Sequence, residues 1–504
     1  MPIPLVNSIA SWFLKKRFHQ IELFLKYPNE VQTELLLDLV EEARDTEIGR
    51  QYNFASIETY KDFADRIPVS TYEDYEPIIE RSRKGENNIF WPKPIKWFAK
   101  SSGTTNSKSK FIPVSIESLE DCHYAAGKDL LCMYLNNNED SQLFTGKSLR
   151  LGGSKELYKE NGTVFGDLSA ILIDNAPFWA EFSSTPSNKV SLMSDWEYKM
   201  QAIVDETINE NVTSLAGVPS WMLVLMNNVL ETTGKNTLFD IWPNLEVYFH
   251  GGVSFVPYMD QYKSILPSSS FKYYEIYNAS EGFFAIQDQN NSSELLLMLD
   301  YGIFYEFIPM EEYGSSNEKI IPLSDVELNK NYAVVITTNA GLWRYKIGDT
   351  VRFTSINPYR IKVSGRTKHH INAFGEELII ENAEDALKQV CKQTKAEIVD
   401  FTAAPIFMQG REKGAHEWLI EFKKLPKDLN NFNELLDNTL KNLNSDYEAK
   451  RHNNMTLKMP TVHIARKRLF YDWLKHHNKL GGQHKVPRLS NTRDYLEELL
   501  ELNE

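Results

Sequence analysis

Cysteine is scarce in this 504-residue chain: Cys122, Cys132 and Cys391 are the only three, and no two form a Cys-x-x-Cys pair. An odd count spread over such a length excludes a disulfide framework and a structural zinc centre, and fits free thiols in a reducing compartment. Long apolar runs are missing as well. The stretch Ile9 to Leu14 is too short for the apolar centre of a secretion signal, and Lys15, Lys16 and Arg17 follow it instead of preceding it. Nothing approaches the length needed to cross a bilayer, so the expected location is the cytoplasm, away from membranes. Positive charge is in deficit, with 55 Lys and Arg against 69 Asp and Glu for a formal net charge of -14. That balance excludes sequence-independent nucleic-acid binding, which relies on basic side chains displacing counterions. It leaves room for a local basic pocket. There is no Gly-x-Ser-x-Gly elbow, no His-Glu-x-x-His and no helix-opening Gly-x-Gly-x-x-Gly. The adjacent pairs His369-His370 and His476-His477 point different ways on any regular element, which is not zinc-ligand spacing.

What is present is globular. Hydrophobic residues make up 42% and charged residues 25%, and 24 Tyr, 27 Phe and 10 Trp supply large cores and apolar pockets. A single core does not grow to this length, so two or more domains are expected. The N-terminal part reads as helical, with Leu35, Leu36, Leu39 and Val40 at helical spacing in the run Val31 to Arg44. Strand signals follow at Leu149 to Leu151, closed by Gly152-Gly153, at Val247 to Phe249, closed by Gly251-Gly252, at Tyr273 to Tyr277 and at Ala333 to Thr338. Leu295 to Leu299, the Asp300-Tyr301-Gly302 turn and Ile303 to Ile308 predict a hairpin. Alternating strands and helices imply an α/β domain over residues 1–366. From Thr367 to the end the pattern becomes a smaller α+β one, with helices predicted near Glu381 to Gln393 and Phe432 to Leu443 and strands at Glu397 to Phe401 and Glu417 to Phe422.

Three segments are candidates for chemistry. Ser101 to Lys110 bunches hydroxyls, one glycine and two lysines between strand-like flanks. Such a loop can wrap phosphate oxygens, although composition alone equally describes a soluble surface loop, and the Gly-Lys-Ser/Thr ending of a Walker loop is absent. Tyr277-Asn278-Ala279-Ser280-Glu281-Gly282 sets a lone carboxylate in a small-residue turn. It could ligate magnesium held mainly by nucleotide phosphates, or Ser280 could simply cap a turn. In Trp343-Arg344-Tyr345-Lys346-Ile347-Gly348-Asp349 an Asp after Gly suits the two hydroxyls of a ribose and an Arg suits an anion, while an Asx turn with basic neighbours is the plainer reading.

Taken in order, these pieces resemble the adenylate-forming superfamily of acyl-CoA synthetases, peptide-synthetase adenylation domains and luciferases. The closer resemblance is to its Gretchen Hagen three branch, the acyl acid amido synthetases. It spans nearly the whole chain and includes the flanks Ile95 to Lys100 and Phe111-Ile112-Pro113. It implies an α/β fold with a large N-terminal adenylate-forming domain, mixed β-sheets flanked by helices, and a small mobile α+β C-terminal domain turning about Lys368. By position it gives Ser101, Ser102, Gly103, Thr104, Thr105 and Lys110 to ATP phosphates. Tyr277 and Ser280 go to the nucleotide pocket, with Tyr277 on its adenine side. Glu281 goes to Mg2+ and Asp349 to the ribose, with Arg344 and Tyr345 in the same nucleotide-binding segment. Gly251 and Gly252 would line the adenine and acyl pocket. Arg366 would stand beside ribose and phosphate, and Lys485, in Gln-x-Lys-x-Pro-Arg, would reach the α-phosphate or the reacting carboxylate. One departure is Ser107, where the family commonly has glycine; a positive φ there would be costly.

The chemistry explains the grouping. A carboxylate must be activated before an amine can attack it. Its attack on the α-phosphorus of ATP gives an acyl-adenylate and pyrophosphate, and an amine then displaces AMP. Positioning and charge neutralisation suffice, with no protein nucleophile. The expected partners are a small carboxylic acid and an amino acid, with the enzyme working as a monomer or weak oligomer. Coenzyme A as acceptor, or nucleotide binding without turnover, are the alternatives.

Overall fold

The computed structural model describes residues 17–102, 109–152, 157–160, 162–176, 183–193, 196–315, 318–367, 370–408, 412–452, 456–477 and 486–504. A large mixed α/β domain precedes a smaller α+β one. Among the described residues, the sheet that organises the large domain has twelve strands. From edge to edge they are Ile321–Pro322, Ile303–Pro309, Asn331–Thr338, Tyr345–Ile356, Tyr359–Arg366, Leu295–Leu297, Gly282–Ile286, Lys272–Ala279, Val247–Gly251, Val212–Gly217, Lys147–Leu151 and Ser184–Thr185. The last five run parallel to one another, and the remaining neighbours pair antiparallel. Such a parallel block needs helical crossovers, and Trp196–Thr207 and Pro219–Thr233 provide two of them. The second starts with Pro219 at its first turn and stops at Gly234 in the left-handed region, the usual asymmetry of helix ends.

The N-terminal helices pack on the antiparallel half. Helix Pro28–Glu42 buries Gln32, Leu36, Leu39 and Val40 on one face. Helix Tyr60–Arg66 opens with a capping box, in which Thr59 Oγ1 accepts the Asp62 N–H at 3.1 Å and Asp62 Oδ2 accepts the Thr59 N–H at 3.1 Å. A separate four-stranded sheet is ordered Ser109–Val114, Trp97–Ser102, Thr163–Gly166, Tyr158–Glu160. Its first two strands form an antiparallel pair that ends at Ser102 opposite Ser109.

The hairpin predicted from Leu295 to Ile308 does not form. Leu295–Leu297 lies between Gly282–Ile286 and Tyr359–Arg366, whereas Ile303–Pro309 pairs with Asn331–Thr338 and Ile321–Pro322. Gln32 shows why the two runs part at the turn. Its buried amide donates to Leu299 O at 2.8 Å and Ile303 O at 2.9 Å, and its Oε1 accepts the Tyr305 N–H at 2.9 Å. A side chain thus takes backbone groups that would otherwise need strand partners.

The small domain is built on a three-stranded sheet, Glu397–Ile406, Ala415–Lys424 and Thr461–Ala465. Neighbouring side chains alternate between its faces. Ala403, Trp418, Ile420 and Phe422 join the cluster holding helices Ile380–Thr394 and Leu429–Leu443. Ala404 and Leu419 join Leu469, Phe470, Leu496 and Leu499 of two further helices on the other face. The first of these clusters continues into the large domain through Leu149, Leu215 and Tyr248, so the two domains share buried apolar contact. Among the described residues no helix is long and apolar enough to cross a membrane.

Candidate functional site

The carboxyl ends of parallel strands are where an open α/β sheet leaves room for a ligand. Here Leu151 pairs with Gly217, Gly217 with His250, and Gly251 with Ile276, so these ends lie side by side. Glycine at 251 has a steric reason: an added Cβ would stand 2.5 Å from Ile276 O. Gly252 follows with φ +83°, a conformation that favours glycine.

Strand Lys272–Ala279 carries Tyr277, and the turn after it presents Ser280 and Glu281. The Tyr277 hydroxyl donates to Asp349 Oδ2 at 2.8 Å. Asp349 Oδ1 lies 3.0 Å from Arg366 Nε, and these two residues face each other in paired strands. Burial and the Asp349 carboxylate push the Tyr277 phenol well above its usual range. Burial also lifts the Glu281 carboxyl to about 7; Lys110 and Arg366 pull it back down, and Asp349 adds to the rise. Burial works against the charge of Arg366, but Glu377, Asp349 and Glu281 more than offset it, and the guanidinium stays firmly protonated. Lys110, Tyr277, Glu281, Asp349 and Arg366 therefore form one electrostatic group, drawn from three stretches far apart in sequence.

Lys110 belongs to strand Ser109–Val114, and its Nζ stands 5.5 Å from the centre of the Tyr72 ring. The Tyr72 hydroxyl accepts the Phe111 N–H at 2.9 Å, which ties helix Tyr72–Arg83 to that strand. Tyr345 is fully buried, and among the described residues its hydroxyl has no hydrogen-bond partner. Burial, and after it the charge of Glu281, pushes that phenol well above its usual range, so an unsatisfied hydroxyl borders the same group.

Not every residue singled out from the sequence joins it. Arg344 spends its guanidinium elsewhere. Its Nε and Nη2 donate to Glu306 at 2.9 and 2.8 Å, and Nη1 donates to Ala64 O and Ile67 O. Both members of this pair are buried, and Tyr60 O–H adds a third donor to Glu306 at 2.9 Å. These bonds turn the guanidinium of Arg344 away from the pocket group and join the helix Tyr60–Arg66 to the sheet. Ser101 and Ser102 end the strand that enters the hydroxyl-rich loop. Gly103, Thr104, Thr105, Ser107, Lys368 and Lys485 lie outside the described residues.

Sequence reasoning missed Glu377. It stands in the hairpin between His370–Ile371 and Leu378–Ile379, with φ +39°, and faces Arg366 Nη2 at 3.3 Å. Arg366 thus meets a carboxylate from each domain. Nothing in the Gly-Glu-Glu run around it distinguishes Glu377 from solvated charge; only the fold brings it here. Asn372 of the same hairpin directs its Nδ2 to Gly252 O at 3.4 Å, so this element lies across the strand ends. Among the described residues no group of three or more His, Cys, Asp or Glu converges in a manner suited to a metal ion. A single oxygen ligand such as Glu281 fits a hard cation that takes its remaining ligands from phosphates and water.

Comparison with known proteins adds a lineage. Profiles of the GH3 family N-terminal, central and C-terminal domains match residues 17–271, 296–366 and 381–494. Jasmonoyl--L-amino acid synthetase JAR4 of Nicotiana attenuata is 24% identical over 460 residues, covering 76% of this chain and 78% of that protein. Indole-3-acetic acid-amido synthetase GH3.4 of Arabidopsis thaliana is 24% identical over 404 residues, covering 67% of this chain and 66% of its own. The solved structure of AtGH3.15 acyl acid amido synthetase in complex with 2,4-DB superposes with a TM-score of 0.64 at 18% identity, covering 97% of this chain and 96% of that one.

Proposed function

The chain belongs to the GH3 family, and from that premise we propose that it is an acyl acid amido synthetase. It activates a carboxylic acid with ATP, releasing pyrophosphate, and passes the acyl group to the amine of an amino acid, releasing AMP. The observation that carries this reading is the convergence of Lys110, Glu281, Asp349 and Arg366 beside aligned strand ends, within a family whose named members above are acid–amino acid ligases.

Each side chain has work in that chemistry. Lys110 and the loop from Ser101 to Thr105 receive the phosphates, countering charge with one ammonium and several N–H and O–H donors. Asp349 uses one oxygen for Tyr277 and the other for Arg366, and its remaining lone pairs accept the ribose hydroxyls. Arg366 reaches the α-phosphate side. Glu281 holds Mg2+, which neutralises phosphate charge when bound. Lys485 approaches the reacting carboxylate or the α-phosphate. The domain boundary falls at 366/367, and the small domain, over 367–504, turns about Lys368 so that one pocket serves both half-reactions. The working unit is a cytoplasmic monomer or weak oligomer.

The acids named for the two relatives differ, a jasmonoyl group in one and indole-3-acetic acid in the other, so the substrate has to be found by assay. The test is ATP–pyrophosphate exchange across aryl, indolyl and fatty acids, repeated with amino acids or coenzyme A and followed by mass analysis of products. Acid-dependent exchange and an amide product are expected. A thioester formed with coenzyme A, independent of any amino acid, would overturn the choice of acceptor. ATP binding without exchange over the whole panel would overturn the enzyme reading.

A further inference from the structure

The hairpin that crosses the pocket is gripped at its tip from both domains. Within the small domain, Glu376 Oε2 accepts the Phe374 N–H at 2.6 Å, and its Oε1 lies 2.8 Å from His416 Nε2. From the large domain, Tyr258 O–H donates to Ala373 O at 2.6 Å and Trp221 Nε1–H donates to Phe374 O at 3.1 Å. Lys450, from the helix Ser445–Arg451 of the small domain, completes the grip. Its Nζ stands 3.8 Å from the centre of the Trp221 ring. Its stem runs past Gly375, where φ is +84° and an added Cβ would come within 3.3 Å of Lys450 Cε. Only 6% of Lys450 is exposed, and among the described residues no carboxylate closes an ion pair with it. Burial lowers the pKa of this ammonium, opposed by Asp446, Asp167, Glu376 and Glu377. Asp167 and Trp221 belong to the large domain, so both the aromatic and the electrostatic attraction span the junction.

We infer that the Lys450–Trp221 contact is an interdomain latch that positions the hairpin tip for amide formation and is not needed for adenylation. The inference rests on the two-step reading above. In the present orientation the hairpin sets Glu377 against Arg366, adding a carboxylate beside the nucleotide pocket. Extra negative charge there opposes the triphosphate of ATP. It suits the later stage, when pyrophosphate has left and an amine arrives, cationic until it sheds a proton. A contact made in only one of two domain orientations stabilises only that orientation, and so acts on the step carried out in it. Lys450 meets Trp221 and the hairpin tip, and acts on the pocket only through Glu377 of that hairpin; the two are positioning residues.

Three variants and two separate measurements test this. Lys450→Met keeps the stem and removes the charge, Trp221→Phe keeps a ring and removes the donor, and Lys450→Arg restores a cation. ATP–pyrophosphate exchange, with an acid that the parent protein activates, reports adenylation. Single-turnover decay of preformed acyl-adenylate after adding the amine reports amide formation. Exchange is expected to stay within about twofold in all three, which also establishes that they fold. Amide formation should slow about tenfold in Lys450→Met, equivalent to about 1.4 kcal/mol of barrier. It should slow less in Trp221→Phe, and recover in Lys450→Arg. Equal loss of both steps would reduce the contact to general scaffolding, and unchanged amide formation would make it incidental; either overturns the latch. A loss seen with amino acids but not with hydroxylamine would mean that Lys450 reads the acceptor's carboxylate, and would overturn it too. A parent protein without exchange on any acid counts against the functional reading, whereas variants of an active parent that fail to separate the two steps count against the latch alone.

Discussion

Replacing Arg344 separates a structural from a nucleotide-binding role. In Arg344→Met the volume is largely kept, but the buried Glu306 carboxylate loses both guanidinium donors and, among the described residues, keeps only Tyr60 O–H as a side-chain donor. Removing one member of a buried ion pair costs about 3–5 kcal/mol, because the other is left charged out of water. A large domain of roughly 350 residues gains about 0.7 kcal/mol per kelvin of unfolding entropy, so the melting temperature should fall by about 4–7 °C. The double variant Arg344→Met with Glu306→Leu should recover most of that loss, since an apolar pair replaces a broken ionic one. Thermal unfolding followed by circular dichroism gives the first number. Isothermal titration with ATP, well below the transition, gives the second, and affinity should stay within about threefold of the parent, a difference below about 0.7 kcal/mol. A variant that melts with the parent yet loses ATP binding tenfold would refute the reasoning and return Arg344 to the nucleotide.

Glu281→Ala and Asp349→Ala should each abolish acid-dependent pyrophosphate exchange, and Asp349→Ala should also lower the melting temperature, since Arg366 and the Tyr277 hydroxyl lose a buried partner; parental exchange in either would break its assignment. The raised carboxyl of Glu281 has a pH signature in the metal-free, nucleotide-free protein. The folded state keeps this proton up to about pH 7 while the unfolded state releases it near its ordinary value, so stability falls as pH climbs between the two. Glu281→Gln should therefore gain melting temperature relative to the parent as pH rises through that window, and a difference that does not change with pH would contradict the burial argument. Gly251→Ala should cost stability and exchange together, because its methyl group would meet Ile276 O at 2.5 Å; parental behaviour would show that the strand ends can part.

Much of the fold is written in local pattern. The apolar spacing around Leu36, Leu39 and Val40 gives helix Pro28–Glu42, and the β-rich run at Ala333 gives Asn331–Thr338, because periodicity and propensity are properties of neighbouring residues. Pairing is not. Leu295–Leu297 and Ile303–Pro309 look like hairpin partners from the turn between them, and what separates them is Gln32, more than 260 residues upstream. The site divides the same way. On local pattern Glu281 and Asp349 read as ordinary turn residues, and the family resemblance is what marks them and Tyr277; the fold brings the three to one place. Arg344 sits one residue from Tyr345 in a segment with the right flavour, but its φ of +46° and the Glu306 carboxylate send its guanidinium into the protein. Glu377 reaches Arg366 only through the docking of one domain on the other, which no short window of sequence records.

The twelve-stranded sheet sets how the pocket can open. Tyr277, Asp349 and Arg366 all ride on strands hydrogen-bonded into that one sheet, so the wall they form cannot part without breaking its ladder. The hairpin from the small domain and the strand pair bearing Lys110 are not woven into it. Any opening toward the pocket therefore falls on those two sides, around a fixed wall.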